Sequence, residues 1–167
     1  MSFSGHGDQH SEQNGSQTAG MRVIQFWILP SRAGLETGVQ QRQYTAQDRA
    51  NRWLQIMGPA GEDGLDLAQD ARALVCWFDE GELRFSVEAG RGGYLYVIEG
   101  RAVMGSTMLR GGDAVRFEGA EVCTLKADIG AELILIDVPL DFERVGVWRD
   151  ADEEATWGRE TFSRPRA

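Results

Sequence analysis

Of 167 residues only two are histidine, two are cysteine and four are proline, and basic residues cluster nowhere. Each shortage excludes something. Cys76 and Cys123 stand too far apart for a C-x-x-C redox or zinc signature, and both lie in apolar, strand-like runs without an adjacent base. Each therefore reads as a small buried hydrophobe. With 17 Lys+Arg against 26 Asp+Glu the net charge is -9, which repels phosphate backbones and argues against nucleic acid and against docking to an anionic membrane. No apolar run approaches the roughly 20 residues needed to cross a bilayer as a helix. The polar start MSFSGHGDQHSEQNGSQ is unlike a secretory signal, so the expected address is the cytoplasm.

Glycine is what the chain has in excess: 21 residues, about one in eight. Such density favours many tight turns between short elements over long helices. Residues 23–29 (VIQFWIL) are β-branched and aromatic enough to predict a buried strand stopped by Pro30, and residues 53–57 repeat the pattern before Gly58-Pro59. Residues 82–87 alternate, placing Leu83, Phe85 and Val87 on one face and Glu82, Arg84 and Ser86 on the other. A turn at Gly90-Arg91-Gly92-Gly93 then precedes strands predicted over 94–98, 102–104, 114–117, 122–125 and 132–138. The pattern predicts an all-β sandwich, jelly roll or barrel. One short peripheral helix is expected at Thr45-Ala46-Gln47-Asp48, where Thr45 offers an N-cap. The organisation expected is a polar segment 1–20, a β-domain 21–140 and a charged tail 141–167, which Trp148 and Trp157 either pin to the domain or leave disordered.

The stretch GELRFSVEAGRGGYLYVIEGRAVMGSTMLRGGDAVRF resembles a cupin, with its strand ending in Glu-Gly and its Gly-Asp opening the next strand. The order HSEQN, QFWILP, LQIMG, DARAL, YLYVIEG, GGD and LILIDVP over residues 4–139 is similar to the pirin family of quercetinase-like bicupins. The resemblance implies a double-stranded β-barrel of the RmlC-like jelly-roll class. It matches the C-terminal cupin together with the end of the metal-binding N-terminal one, so residues 1–20 become a remnant of that first cupin.

Family members hold an iron or similar ion with a His-x-His pair, a later His and a Glu. His10 and Glu12 match the later two, and the first pair has no counterpart here. Residues two apart on a strand share a face, so His10 and Glu12 could reach one ion, and His6 has the same parity. His6, His10 and Glu12 are thus a formal two-histidine, one-carboxylate set of the kind non-haem Fe(II) oxygenases use, or else relics on a solvated strand. In the second cupin the histidine-pair position reads Tyr94-Leu95-Tyr96, and no histidine follows His10. The two phenols are poor ligands for a divalent ion. They either sit in the core with satisfied hydroxyls or line an aromatic cavity.

Two functions follow from the resemblance. One is a metal-free cupin module, non-catalytic alone, that binds a protein or a small aromatic ligand and covers an apolar face as a homo-oligomer or with a companion cupin chain. The other is a metal-dependent quercetin 2,3-dioxygenase-like oxidoreductase, using Fe(II) or another divalent transition metal, with Glu12 as ligand or proton acceptor. The second needs a ligand set completed by His6, another chain or upstream sequence.

Overall fold

A computed structural model describes residues 2–3, 11 and 13–145, and the elements below are numbered along the chain. They are β1 (Ser2–Phe3), β2 (Gly38–Val39), a 3-10 turn at Gln47–Arg49, β3 (Leu54–Pro59), β4 (Leu65–Leu67), β5 (Arg72–Phe78), β6 (Glu82–Val87), β7 (Arg91–Met104), β8 (Thr107–Arg110), β9 (Ala114–Glu118) and β10 (Glu121–Pro139). β1 and β2 pair with each other. β3 to β10 form one sheet in the order β4-β3-β5-β10-β7-β8, with β6 added to β10 and β9 to β7.

Two long strands turn this sheet into two layers. The first part of β10 pairs with β6 and with the end of β7, whereas its second part pairs with β5 and with the start of β7. Both strands bend where the register shifts between Ala127 and Ala131. Gly100 and Gly130 meet at this corner with φ of 82° and 88°, a conformation costly for any residue with a Cβ. The result is an open jelly roll, not a closed barrel. Its core lies between the layers: Leu95, Val97 and Leu133 from one, Leu83, Phe85 and Leu125 from the other. The Phe85 and Phe117 rings cross the gap edge to face at 5.1 Å. On the β6 side the Trp53 indole N–H donates to the Arg84 carbonyl and shields that edge.

Several sequence expectations need correction. Residues 23–29 form no strand and pair with none among the described residues, so their β-propensity is not realised in a ladder. Trp27 is 81% exposed there. The segment is tied at its ends instead: Arg22 to Glu99 and Glu132, and the Leu29 carbonyl to the Gln69 amide. The turn placed at 90–93 ends at Gly90, and Gly92 and Gly93 lie inside β7. A Cβ there would press on Leu140 and Val87, so close packing is what these two glycines serve. The strands expected at 94–98 and 102–104 are one continuous strand, as are 122–125 and 132–138. The short helix is a single 3-10 turn, in which the Thr45 hydroxyl donates to the Asp48 carboxylate at 2.7 Å. Most of segment 1–20 that precedes Ser11, together with Glu12 and the tail from residue 146, Trp148 and Trp157 included, lies outside the described residues.

Candidate functional site

His6, His10 and Glu12, the three residues predicted to bind metal, all lie outside the described residues. Along β7 the alternation of a pleated strand turns Leu95 and Val97 inward, both fully buried, and Tyr94 and Tyr96 outward. Tyr94 is 47% exposed and Tyr96 half-buried, so neither core tyrosines nor an aromatic cavity describes them. Opposite Leu95 and Val97 stand Leu135 and Leu133 of β10, and beyond these Leu74 and Cys76 of β5. The inward face of β7, β10 and β5 is thus filled mainly by aliphatic carbon, which offers no donor to an ion, and the two tyrosines at the histidine-pair position point away from it. Among the described residues no three His, Cys, Asp or Glu side chains converge as a metal set.

Cys76 belongs to this wall, and burial pushes its thiol up to about 11. Burial raises Cys123 as well, with Glu121 adding to it. Because the folded Cys76 holds its proton more tightly than the unfolded chain does, its contribution to stability is intact below pH 9 and fades as pH rises from 9 towards 11. Denaturant titrations at pH 8 and pH 10.5 should show that loss in the wild type and a flatter response in Cys76→Ala. An equal pH slope in both proteins would exclude Cys76 as its source.

The same inward face changes character toward one end. Two residues beyond Leu135 and Leu74, the register pairs Asp137 with Arg72, and Arg91 follows the inward parity of β7. The Arg91 guanidinium donates from Nε to Asp137 Oδ1 at 2.8 Å, from Nη1 to Asp70 Oδ2 at 2.6 Å and from Nη2 to the Asp70 carbonyl at 3.1 Å. Arg72 grips Glu62 in a fork at 2.9 and 2.7 Å. Gln55 Nε2 adds bonds to Glu62 and to the Asp63 carbonyl. Burial works against the Arg91 charge, yet Asp137 and Asp70 together hold its pKa above the ordinary value. The Arg72 fork, helped by Gln55, keeps the Glu62 carboxyl below its ordinary range. This network caps the end of the interior with both guanidinium groups already engaged, and a shallow, solvent-open cleft lined by Gln55, Gly61, Glu62 and Asp63 adjoins it.

Sequence reasoning missed this cap because no motif joins Glu62, Asp70, Arg72, Arg91 and Asp137. The available signal was parity: Arg91 continues the inward series of Leu95 and Val97, and Asp137 that of Leu133 and Leu135. On the opposite face of β7 and β10, Arg22 bonds Glu99 at 2.8 Å while Arg49 bonds Glu132 at 2.6 Å. Glu99 chiefly raises the Arg22 pKa.

Comparison with known proteins bears on this arrangement. Residues 55–138 match the family model of the quercetinase C-terminal cupin domain. The chain is 27% identical over 139 residues to a quercetin 2,3-dioxygenase of Escherichia coli K12, covering 81% of this chain and 58% of that one. To a pirin-like protein of Caulobacter vibrioides it is 26% identical over 136 residues, 80% of this chain and 58% of the other. The crystal structure of YhhW from Escherichia coli superposes with a TM-score of 0.60 at 20% identity, over 72% of this chain and 49% of that one. The structure of bacterial pirin YhhW in complex with nickel(II) superposes equally well, with a TM-score of 0.60 at 19% identity over 68% of this chain and 48% of that one. These two structures share the cupin fold with this chain. The chain spans a little over half the length of the curated relatives it matches. Among the described residues no helix is long and apolar enough to cross a membrane.

Proposed function

Because the chain belongs to the pirin family and carries its quercetinase C-terminal cupin domain over residues 55–138, we propose that this domain is a metal-free module, non-catalytic by itself, that acts by binding through its surface. One observation carries the reading. The inward positions Leu95, Val97, Leu133 and Leu135 are 0 to 4% exposed and form a packed apolar wall that offers neither imidazole nor carboxylate to an ion. Leucine and valine carry no donor atom, so this interior does not fit a divalent ion. A filled interior likewise leaves a small aromatic ligand only the outer surface, which favours a protein partner.

A second reading is a metal-dependent oxidoreductase of the quercetin 2,3-dioxygenase type, favoured by the identity shared with the Escherichia coli protein along 81% of this chain. It requires His10 and Glu12, with His6 or a histidine pair from another chain, as ligands to Fe(II) or another divalent transition metal. Elemental analysis of the purified 167-residue protein, paired with oxygen uptake in the presence of quercetin, separates the two. The module reading expects less than about a tenth of an equivalent of iron, nickel or copper and no flavonol-dependent uptake. Stoichiometric metal that disappears in His10→Ala, with oxygen consumption lost alongside it, would establish the oxidoreductase instead.

A further inference from the structure

Ile134 is 5% exposed and Ala73 is fully buried, yet neither belongs to the cluster of side chains packed between the two layers. Both point the other way. Because Leu133 and Leu135 face inward on β10, Ile134 stands on the outer face of the sheet, level with Tyr96 of β7 and Val75 of β5, and Ala73 is level with Ile136. A face open to solvent leaves its side chains exposed, as Tyr94 is on this same face at 47%. Ile134 therefore has a cover, and residues 22–31 have the position and the length to be it. At one end of the face Arg22 is held by Glu99 and Glu132, which pair across β7 and β10. At the other end the Leu29 carbonyl accepts from the Gln69 amide, and the Ser31 N–H and hydroxyl both donate to the Ala68 carbonyl, just ahead of β5. Along β10 about 17 Å separate Glu132 from Asp137, the partner of Arg72 at the start of β5. The chain from Arg22 to Leu29 reaches at most about 25 Å, which leaves no slack for a detour around an edge of the sheet.

We infer that residues 22–31 are a detachable strap that crosses the outer face of β7, β10 and β5 and seals Ile134, so that a partner reaches this face only by displacing it. The part-burial of Phe26, Ile28 and Leu29, in a segment that joins no strand, has the same cause as the burial of Ile134: each is the other's cover. The fastenings are of the kind that opens without unfolding the sheet. Arg22 and Glu99 are each 58% exposed, so solvent screens their attraction, and the far end hangs on hydrogen bonds at exposed sites rather than on a ladder. A segment held by so few buried contacts occupies the low end of the range of local opening energies, whereas the ladders of β5, β7 and β10 beneath it open only with the domain. The strap stands or falls without reference to metal or oxygen uptake, so its failure and that of the module reading are separable.

The test is the rate at which a maleimide labels a thiol placed on this face of the full chain, whose own Cys76 and Cys123 are buried. Ile134→Cys sets the thiol under the strap and Tyr94→Cys sets it where the face is open. The expected result is labelling of Ile134→Cys at least ten-fold slower than of Tyr94→Cys. Adding Arg22→Gln and Phe26→Ser, which cut one fastening and one apolar contact, should then speed the labelling of Ile134→Cys at least ten-fold with an unchanged circular dichroism spectrum. A second measurement keeps Ile134 in place: thermolysin cleavage within residues 23–29 should be at least ten-fold faster in the Arg22→Gln, Phe26→Ser chain than in the wild type, with the sheet left intact. Equal labelling of the two thiols, an Ile134→Cys thiol that stays shielded after the strap is cut loose, or cleavage indifferent to the two strap substitutions overturns the inference.

Discussion

Replacing Gly100 by alanine is expected to destabilise the domain by about 3–5 kcal/mol, a large part of the 5–15 kcal/mol typical of a whole domain. Two effects combine. The backbone there has a φ of 82°, which costs an L-residue of the alanine type about 1 kcal/mol. The larger effect is steric, since the added Cβ would overlap the Gly130 carbonyl oxygen and approach the Ala131 Cα within 2.9 Å. That oxygen belongs to the second long strand at the very corner where both strands pass from one layer to the other, so neither can retreat without unpairing the sheet. Gly112→Ala is the matched control. Its φ is 93°, but nothing lies within 4 Å of a Cβ, so only the conformational cost of about 1 kcal/mol applies. Urea titrations of both variants read the difference, and equal losses would show that the corner relaxes freely.

Arg91→Ala should cost about 2–4 kcal/mol. The side chain is 11% exposed and holds Asp137, itself 19% exposed, together with Asp70. Removing it leaves the inward-facing Asp137 carboxylate with only Arg72, at 3.8 Å, and the penalty of that under-compensated charge outweighs the modest net worth of the pair. The exposure of Asp70, at 56%, holds the figure below the upper range for fully buried pairs. Adding Asp137→Asn to the Arg91→Ala background should recover part of the loss, because it neutralises the charge that truncation uncovers. Arg22→Ala, whose partner Glu99 is as exposed as Arg22 itself, should shift the denaturant midpoint far less than Arg91→Ala, because solvent screens the pair. Denaturant midpoints of these variants at pH 7 would show whether Arg91 and Arg22 differ in this way.

The sequence by itself determined the fold class and much of the core. Glu82–Val87 alternates in burial as its residues alternate in polarity, because period-two patterning states directly which side of a strand meets the other layer. Leu95, Val97, Leu133 and Leu135 follow the same rule, and the family-like succession of landmarks pointed to the cupin fold that the comparisons share. Only the tertiary structure decided the rest. That Tyr94 and Tyr96 face outward depends on the phase of β7 against β9 and β10, which a pair of like residues two apart leaves ambiguous. That residues 23–29, with their strong β-character, pair with no strand among the described residues depends on partners distant in sequence, which local propensity does not specify. The union of Arg72, Arg91, Asp70, Asp137 and Glu62 likewise arises from register between strands and a loop, and so do the meeting of Gly100 with Gly130 and the bend of two long strands there. Local chemistry writes polarity and period into a chain, but which surfaces finally touch is settled by pairing across long sequence separations, and that information resides in the folded whole.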